Sequence, residues 1–110
     1  MGHTMNNTEK NYIDITGDLI AGLLLYAIQT EKKNIIEKDG HHWVVRTREG
    51  WWNEIRITKH QFSRAVKILK EKNIVVTKIF KLKWGYTIDD VESGIPITHI
   101  RINEDVLDQF

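Results

Sequence analysis

"ITKHQFSRAVKILKEKNIVV", residues 57–76, decides the fold, because it contains a helix start, a two-sided helix and a change of period. Thr58 is followed three residues on by Gln61, the spacing at which each side chain satisfies the other residue's free backbone donor. At about 100° per residue, Phe62, Ala65, Val66 and Leu69 gather on one side of the helix. His60, Arg64 and Lys67 point the opposite way, with Ser63 and Lys70 beside them and Glu71 further along. After Asn73 the chain becomes β-branched and the helical period is lost.

Upstream, Thr47 is a cap for a short helix over 48–56, whose apolar side is Trp51, Trp52 and Ile55 and which Gly50 weakens slightly. Only "RI" separates it from Thr58, so the two helices turn sharply against each other. Such a pair, with the second helix amphipathic and basic, is a helix-turn-helix candidate. Further back, Thr16 is expected to cap a first helix, with Asp18 favourable to its dipole. There Ile20, Leu23, Leu24, Ala27 and Ile28 recur at helical spacing, widened by Leu19, Leu25 and Tyr26. This surface exceeds what one small core needs. A homodimer through the first helix is the expected cover, and segment 5–15 folding over it is the alternative.

"TEKKNIIEKDG" (30–40) reads as a helix end and a charged loop, and "HWVV" (42–45) as a short strand. Downstream, "IVVTKIFKLKW" (74–84) and "ITHIRIN" (97–103) read as antiparallel strands. Thr98, Ile100 and Ile102 fall on one face of the second, and His99 and Arg101 on the other. The connection "GYTIDDVESGIP" (85–96) holds two Gly and the only Pro of the chain, and "EDVLDQF" either starts a further helix or ends the chain. The predicted fold is α+β, a winged helix-turn-helix of three helices plus a two- or three-stranded antiparallel wing. Residues 1–11 are expected to be a tag remnant ("MGHT") and a flexible N-terminus, and 12–110 a single domain.

The chain has 110 residues, 41% hydrophobic and 28% charged, which suits one globular domain. It has no cysteine, so neither disulfides nor a thiolate zinc site hold it together. Its longest apolar run is about half a bilayer crossing, and no signal peptide is visible. A soluble, cytoplasmic protein without a membrane partner is expected. The net charge of +1 is unevenly spread: −2 over 1–40, +8 over 41–88 and −5 over 89–110. A basic middle on a near-neutral chain suits a polyanion on one face.

In a helix-turn-helix the outer face of the second helix of the pair enters the major groove. Arg64 is therefore a candidate for a guanine edge or a phosphate, with Ser63 and His60 able to donate to either. Lys59, Lys67 and Lys70 are candidates for phosphates. In "KIFKLKWGY" (78–86), Lys78, Lys81 and Lys83 alternate with aromatics. Trp84 and Tyr86 near the Gly turn are candidates to stack on an unpaired base, while Phe80 and Leu82 are expected to pack beneath. Arg46 and Arg48 flank the N-terminus of the 48–56 helix, where phosphates bind readily. No catalytic residues, metal ligands or cofactor are expected. His41 and His42 are adjacent and would face opposite ways on a strand, and no phosphate-binding glycine loop occurs. Asp89, Asp90 and Glu92 read as a solvated wing tip rather than a metal loop.

The blocks "LIAGLLLYAI", "WVVRT", "ITKHQFSRAVKILKEKNIV" and "GIPITHIRIN" resemble the N-terminal winged-helix domains of phage replisome organisers and plasmid replication initiators. These are related in form to DnaD-type primosome proteins, and the likeness spans about residues 12–107. The last block is the most particular, and "EGWWNEI" departs from the plainer helix usual in such domains. The resemblance implies a phage or mobile-element protein that binds double- or single-stranded DNA in replication initiation or its control. The alternatives are a module docking a replication protein (helicase, loader or second subunit) and a transcriptional regulator.

Overall fold

A computed structural model of the chain describes residues 6–89 and 91–110. Among the described residues it is an α+β fold with five helices and a four-stranded antiparallel sheet. The order is α1 (Asn7–Thr16), α2 (Leu19–Thr30), β1 (Ile35–Lys38), β2 (His41–Val45), α3 (Arg48–Ile55), α4 (Lys59–Glu71), β3 (Val75–Lys81), β4 (Pro96–Ile102) and α5 (Glu104–Leu107). The strands lie in the order β1-β2-β4-β3.

The N-terminal region differs from expectation. Residues 7–11, within the lead expected to be flexible, belong to α1, which is started by a reciprocal capping box between Asn6 and Glu9. The expected boundary at residue 12 thus falls inside a helix; residues 1–5, with the expected tag remnant, lie outside the described residues. Gly17, at φ 70°, ends α1 in the left-handed conformation that suits glycine. Thr16 is therefore the last residue of α1, its hydroxyl donating to the Tyr12 carbonyl at 2.8 Å. The cap of α2 is Asp18, which accepts from the Ala21 N–H at 2.9 Å. α1 then packs along α2, with Tyr12 edge-on to Tyr26 at 6.4 Å. The surplus apolar surface of α2 is covered largely from within the chain, although Leu19 stays exposed.

The expected charged loop 30–40 contains a strand. β1 pairs with β2 from Ile35↔Val44 to Lys38↔His41. Asp39 and Gly40 turn between them with φ of 55° and 76°, the two positive values that a two-residue hairpin turn matched to strand twist requires.

Apolar residues cover both faces of the sheet. On one, Val44, Ile100 and Val75 pack with Leu24, Leu25 and Ile28 of α2 and Ala65 and Leu69 of α4. On the other, Ile36, Val45, Leu82, Ile88 and Ile97 form a second cluster. Trp43 is edge-on to Phe80 at 5.5 Å beside it, and Phe80 to His99 at 5.1 Å. The alternation expected of β4 is thus present, but His99 faces a second core and is completely buried. The β3–β4 connection folds back over this face. Ile88 is buried, and the Asp89 carboxylate accepts from the Thr47 backbone N–H at 3.0 Å and its hydroxyl at 3.1 Å. Asp89 is exposed, as expected of the wing tip, but also tethers it to the start of α3, and Asp90 lies outside the described residues. Gly50 is explained by the same contact, because a Cβ there would sit 1.9 Å from Asp89 Oδ2. No described helix is long and apolar enough to cross a membrane.

His99 gives the fold a pH dependence. Its Nδ1 lies 2.9 Å from the Ile97 carbonyl, so this nitrogen carries the proton and donates. Nε2 has no hydrogen-bond partner among the described residues. Burial holds the imidazole pKa below its ordinary 6.5, with nearby Lys38 adding to the effect and the Ile97 hydrogen bond opposing it. As pH falls, the unfolded chain takes up this proton first. The contribution is thus complete above the unfolded pKa and lost as pH drops through the lower folded one. Urea midpoints should fall across that window for the native chain and stay flatter for His99→Phe. Equal slopes would remove His99 from the account.

Candidate nucleic-acid interface

The tight α3–α4 turn is set by local chemistry. The Thr47 hydroxyl accepts from the Gly50 N–H at 3.0 Å and caps α3. At its other end Arg56 takes a left-handed conformation at φ 57°. Ile57 is buried, and Thr58 opens α4, accepting from the Gln61 N–H at 3.2 Å while its own N–H donates to Gln61 Oε1 at 2.8 Å.

α4 packs one flank against α2 and turns the other toward β3 and β4. Between α4, the start of α3 and the start of β4 lies a cleft of about 320 Å³. Trp51, Ile57, Phe62 and Pro96 form its apolar lining, and Arg46, Arg48, Lys59, Ser63 and Thr98 stand among its polar residues. The Trp51 and Phe62 rings meet at 5.4 Å. A groove continues from it, where Phe62, Ser63 and Val66 face Thr77, Ile79 and Thr98. Phe62, Ser63 and Thr98 line both, and no described Asp or Glu lines either. Lys67 and Lys70 flank Ser63 and Val66 on the outer side of α4, with Glu71 at the end of the same patch.

The expected site residues separate into groups. Arg48, Lys59, His60, Ser63, Lys67 and Lys70 are exposed on the α3–α4 face. Lys81 pairs with Pro96, in phase with Ile79↔Thr98, so it shares the cleft's face of the sheet. Lys78 pairs with His99 and belongs to the opposite face, away from the cleft. Lys83, Trp84 and Tyr86 are exposed in the β3–β4 connection.

Two arginines are already paired: Arg46, which lines the cleft, and Arg64, whose side chain is 64% exposed. Arg46 binds Glu31, Nε at 3.0 Å with Nη2 on the same oxygen, and stacks over Trp51 at 5.8 Å. Its side chain is only 12% exposed, so it serves the fold and is not a free phosphate contact. Arg64 lies on the α2 flank of α4, with Nη2 2.7 Å from Asp18 Oδ1. Asp18 is held below the ordinary carboxylate range by its Ala21 hydrogen bond first, and by Arg64 as well, against burial. Charge reversal at Arg64 would disturb the α2 cap, so loss of binding there would not report on a groove contact. The N-terminus of α3 is likewise occupied, because Asp89 already supplies the anion that a phosphate would supply.

The sequence reading missed Thr77, Ile79 and Thr98. Alternation in "ITHIRIN" placed Thr98 with Ile100, but nothing local indicated that this face continues past the core into an open groove beside α4. No protein-family model, curated protein or solved structure matches the chain.

Proposed function

We propose that the chain is a winged-helix protein that binds duplex DNA, with α4 as recognition helix and the β3–β4 hairpin as wing. The observation that carries this reading is the basic surface around the cleft. Arg48, Lys59, Lys67, Lys70 and Lys81 are exposed, and among the described residues none is in an ion pair. Exposed cations left without carboxylates suit a polyanion, whereas Arg46 and Arg64 illustrate how the same chain neutralises arginine when it serves structure. The 13 residues of α4 make a rod about 20 Å long that fits a major groove about 12 Å wide. Ser63 and His60 are then the base-reading candidates and the lysines the positioning ones. A place in replication initiation of a phage or mobile element is part of the proposal, carried by the resemblance of "GIPITHIRIN" and the α4 block. A transcriptional regulator would use the same surface.

Trp52 favours a second reading, a module docking a replication protein, since it is 47% exposed on α3 with Arg56 over its ring at 5.8 Å. Salt dependence separates the two. Five phosphate contacts predict that log K falls with log salt at a slope of about −4 to −5, at roughly 0.9 per contact. Lys59→Ala with Lys67→Ala should flatten the slope by about two units on every duplex sequence. Salt-independent or absent duplex binding would leave the docking reading.

A further inference from the structure

We propose that the β3–β4 connection holds an unpaired nucleobase, so that the chain prefers duplex DNA with a single-stranded tail over blunt duplex; this rests on the duplex reading of the α4 cleft. Trp84 is 89% exposed, the most open large hydrophobic side chain among the described residues. Its backbone lies in a hydrogen-bonded turn. The Tyr86 N–H donates to the Lys83 carbonyl at 3.1 Å, and Gly85 takes φ 88°. Residues 83–86 therefore form a turn with Trp84 at its first corner and glycine at the second, where φ must be positive. The base of the turn is pinned by Leu82, which donates to the Ile95 carbonyl at 2.8 Å and accepts from the Gly94 N–H at 2.8 Å. Leu82 and Ile88 are buried on either side of it. A hydrogen-bonded turn thus presents an indole to solvent.

The chemistry around the ring indicates the occupant. Lys81 and Lys83 shortly precede Trp84, and Lys83 Nζ lies 5.9 Å above the Tyr86 ring. The carboxylates of the same connection come later in the chain, at Asp89, Asp90 and Glu92, and Asp89 is bonded to Thr47. A flat aromatic beside cations matches a stacked base with its phosphates, a combination that tolerates any sequence. Bases inside a duplex are already stacked on both faces, so beside a duplex bound on α4 an unpaired base offers Trp84 the free face that an interior base pair lacks. Geometry links this point to the cleft. Lys81, on the cleft's face, is three residues from Trp84, at most about 11 Å of extended chain. A strand advancing about 3.4 Å per nucleotide covers that in roughly three nucleotides. Duplex on α4 with its tail at Trp84 is therefore one continuous footprint.

Fluorescence anisotropy with a blunt duplex, the same duplex carrying an unpaired oligo-dT tail, and oligo-dT alone tests this. The tailed duplex should bind about tenfold tighter than the blunt one. Trp84→Ala should remove that advantage while leaving blunt-duplex affinity and thermal stability unchanged, and Trp84→Phe should retain most of it. Tail binding should also quench tryptophan emission in the native chain more than in Trp84→Ala. Equal affinity of the native chain for tailed and blunt duplex overturns the proposal and leaves duplex binding intact, as does a preference that survives Trp84→Ala. Failure to bind any of the three DNAs overturns both.

Discussion

Glu31→Ala should destabilise the protein by about 3 kcal/mol, the low end of what breaking a buried ion pair costs. The Glu31 side chain is only 7% exposed and joins two parts of the fold. Its Oε1 accepts from the backbone N–H groups of Lys32, Lys33 and Asn34, fixing the bend between α2 and β1. Its Oε2 takes both Nε and Nη2 of Arg46 at the end of β2. Without it, the one carboxylate left to Arg46 among the described residues is the half-exposed Glu54 at 3.4 Å, a weak substitute even with Trp51 beneath the guanidinium. Arg46→Met should cost less, because Glu31 keeps three backbone donors. Burial pushes the Glu31 pKa up, but the hydrogen bonds and Arg46 outweigh it and hold the carboxyl below its ordinary 4.5. The stability it supplies is accordingly present above the unfolded pKa and lost as pH falls through the lower folded value. Urea unfolding of both variants checks the order of effects. The same pair tests the interface: Arg46→Met should leave the salt slope of DNA binding unchanged, and a flattened slope would return Arg46 to the phosphate contacts.

Local signals in the sequence were the legible ones. Thr47 and Thr58 cap α3 and α4 as their spacing implies, because a cap involves only a few consecutive residues. The α4 stripe and the periods of β3 and β4 were legible for the same reason. Misreadings arose where two local signals competed or where the partner is distant. Thr16 and Asp18 are both capping residues, and Gly17 between them, which ends one helix, decides the matter. The Asp-Gly pair at 39–40 was a hairpin signal hidden by the charges around it. α1 has a weakly apolar face, and its order comes from packing on α2 rather than from its own pattern. The pairings Arg46–Glu31 and Arg64–Asp18 span 15 and 46 residues, so no window of sequence distinguishes those arginines from the free cations. A helical wheel gives the polar arc of α4, but not which edge of that arc the sheet approaches. That edge holds Ser63 and defines the cleft.

Gly22→Ala should destabilise the protein by about 1–3 kcal/mol, the usual cost of overpacking, against the trend for the helix alone. Within an isolated α2, replacing glycine by alanine would favour the helix by about 1 kcal/mol. The fold reverses the sign because α1 crosses α2 at this residue. An added Cβ would lie 2.6 Å from Ile13 Cγ1, 2.7 Å from its Cα and 2.8 Å from its backbone nitrogen. A side chain can swing aside, but a helix backbone can only move as a unit. α1 must therefore lift, loosening Tyr12 from Tyr26 and the Asn6 amide from the Tyr26 hydroxyl, now 3.0 Å apart. For a domain of this size the melting temperature should fall by roughly 4–8 °C per kcal/mol. Proteolysis should then cut first within residues 7–16, while α4 and the DNA binding proposed for it survive, since Gly22 lies outside the cleft. Lifting α1 also bares the side of α2 around Gly22 and Tyr26, next to the already exposed Leu19, the surface for which a second subunit is the alternative cover. Sedimentation of the variant should show more association than that of the native chain at the same concentration. A rise in melting temperature would mean that α1 does not rest on Gly22, and that the apolar row of α2 needs another cover.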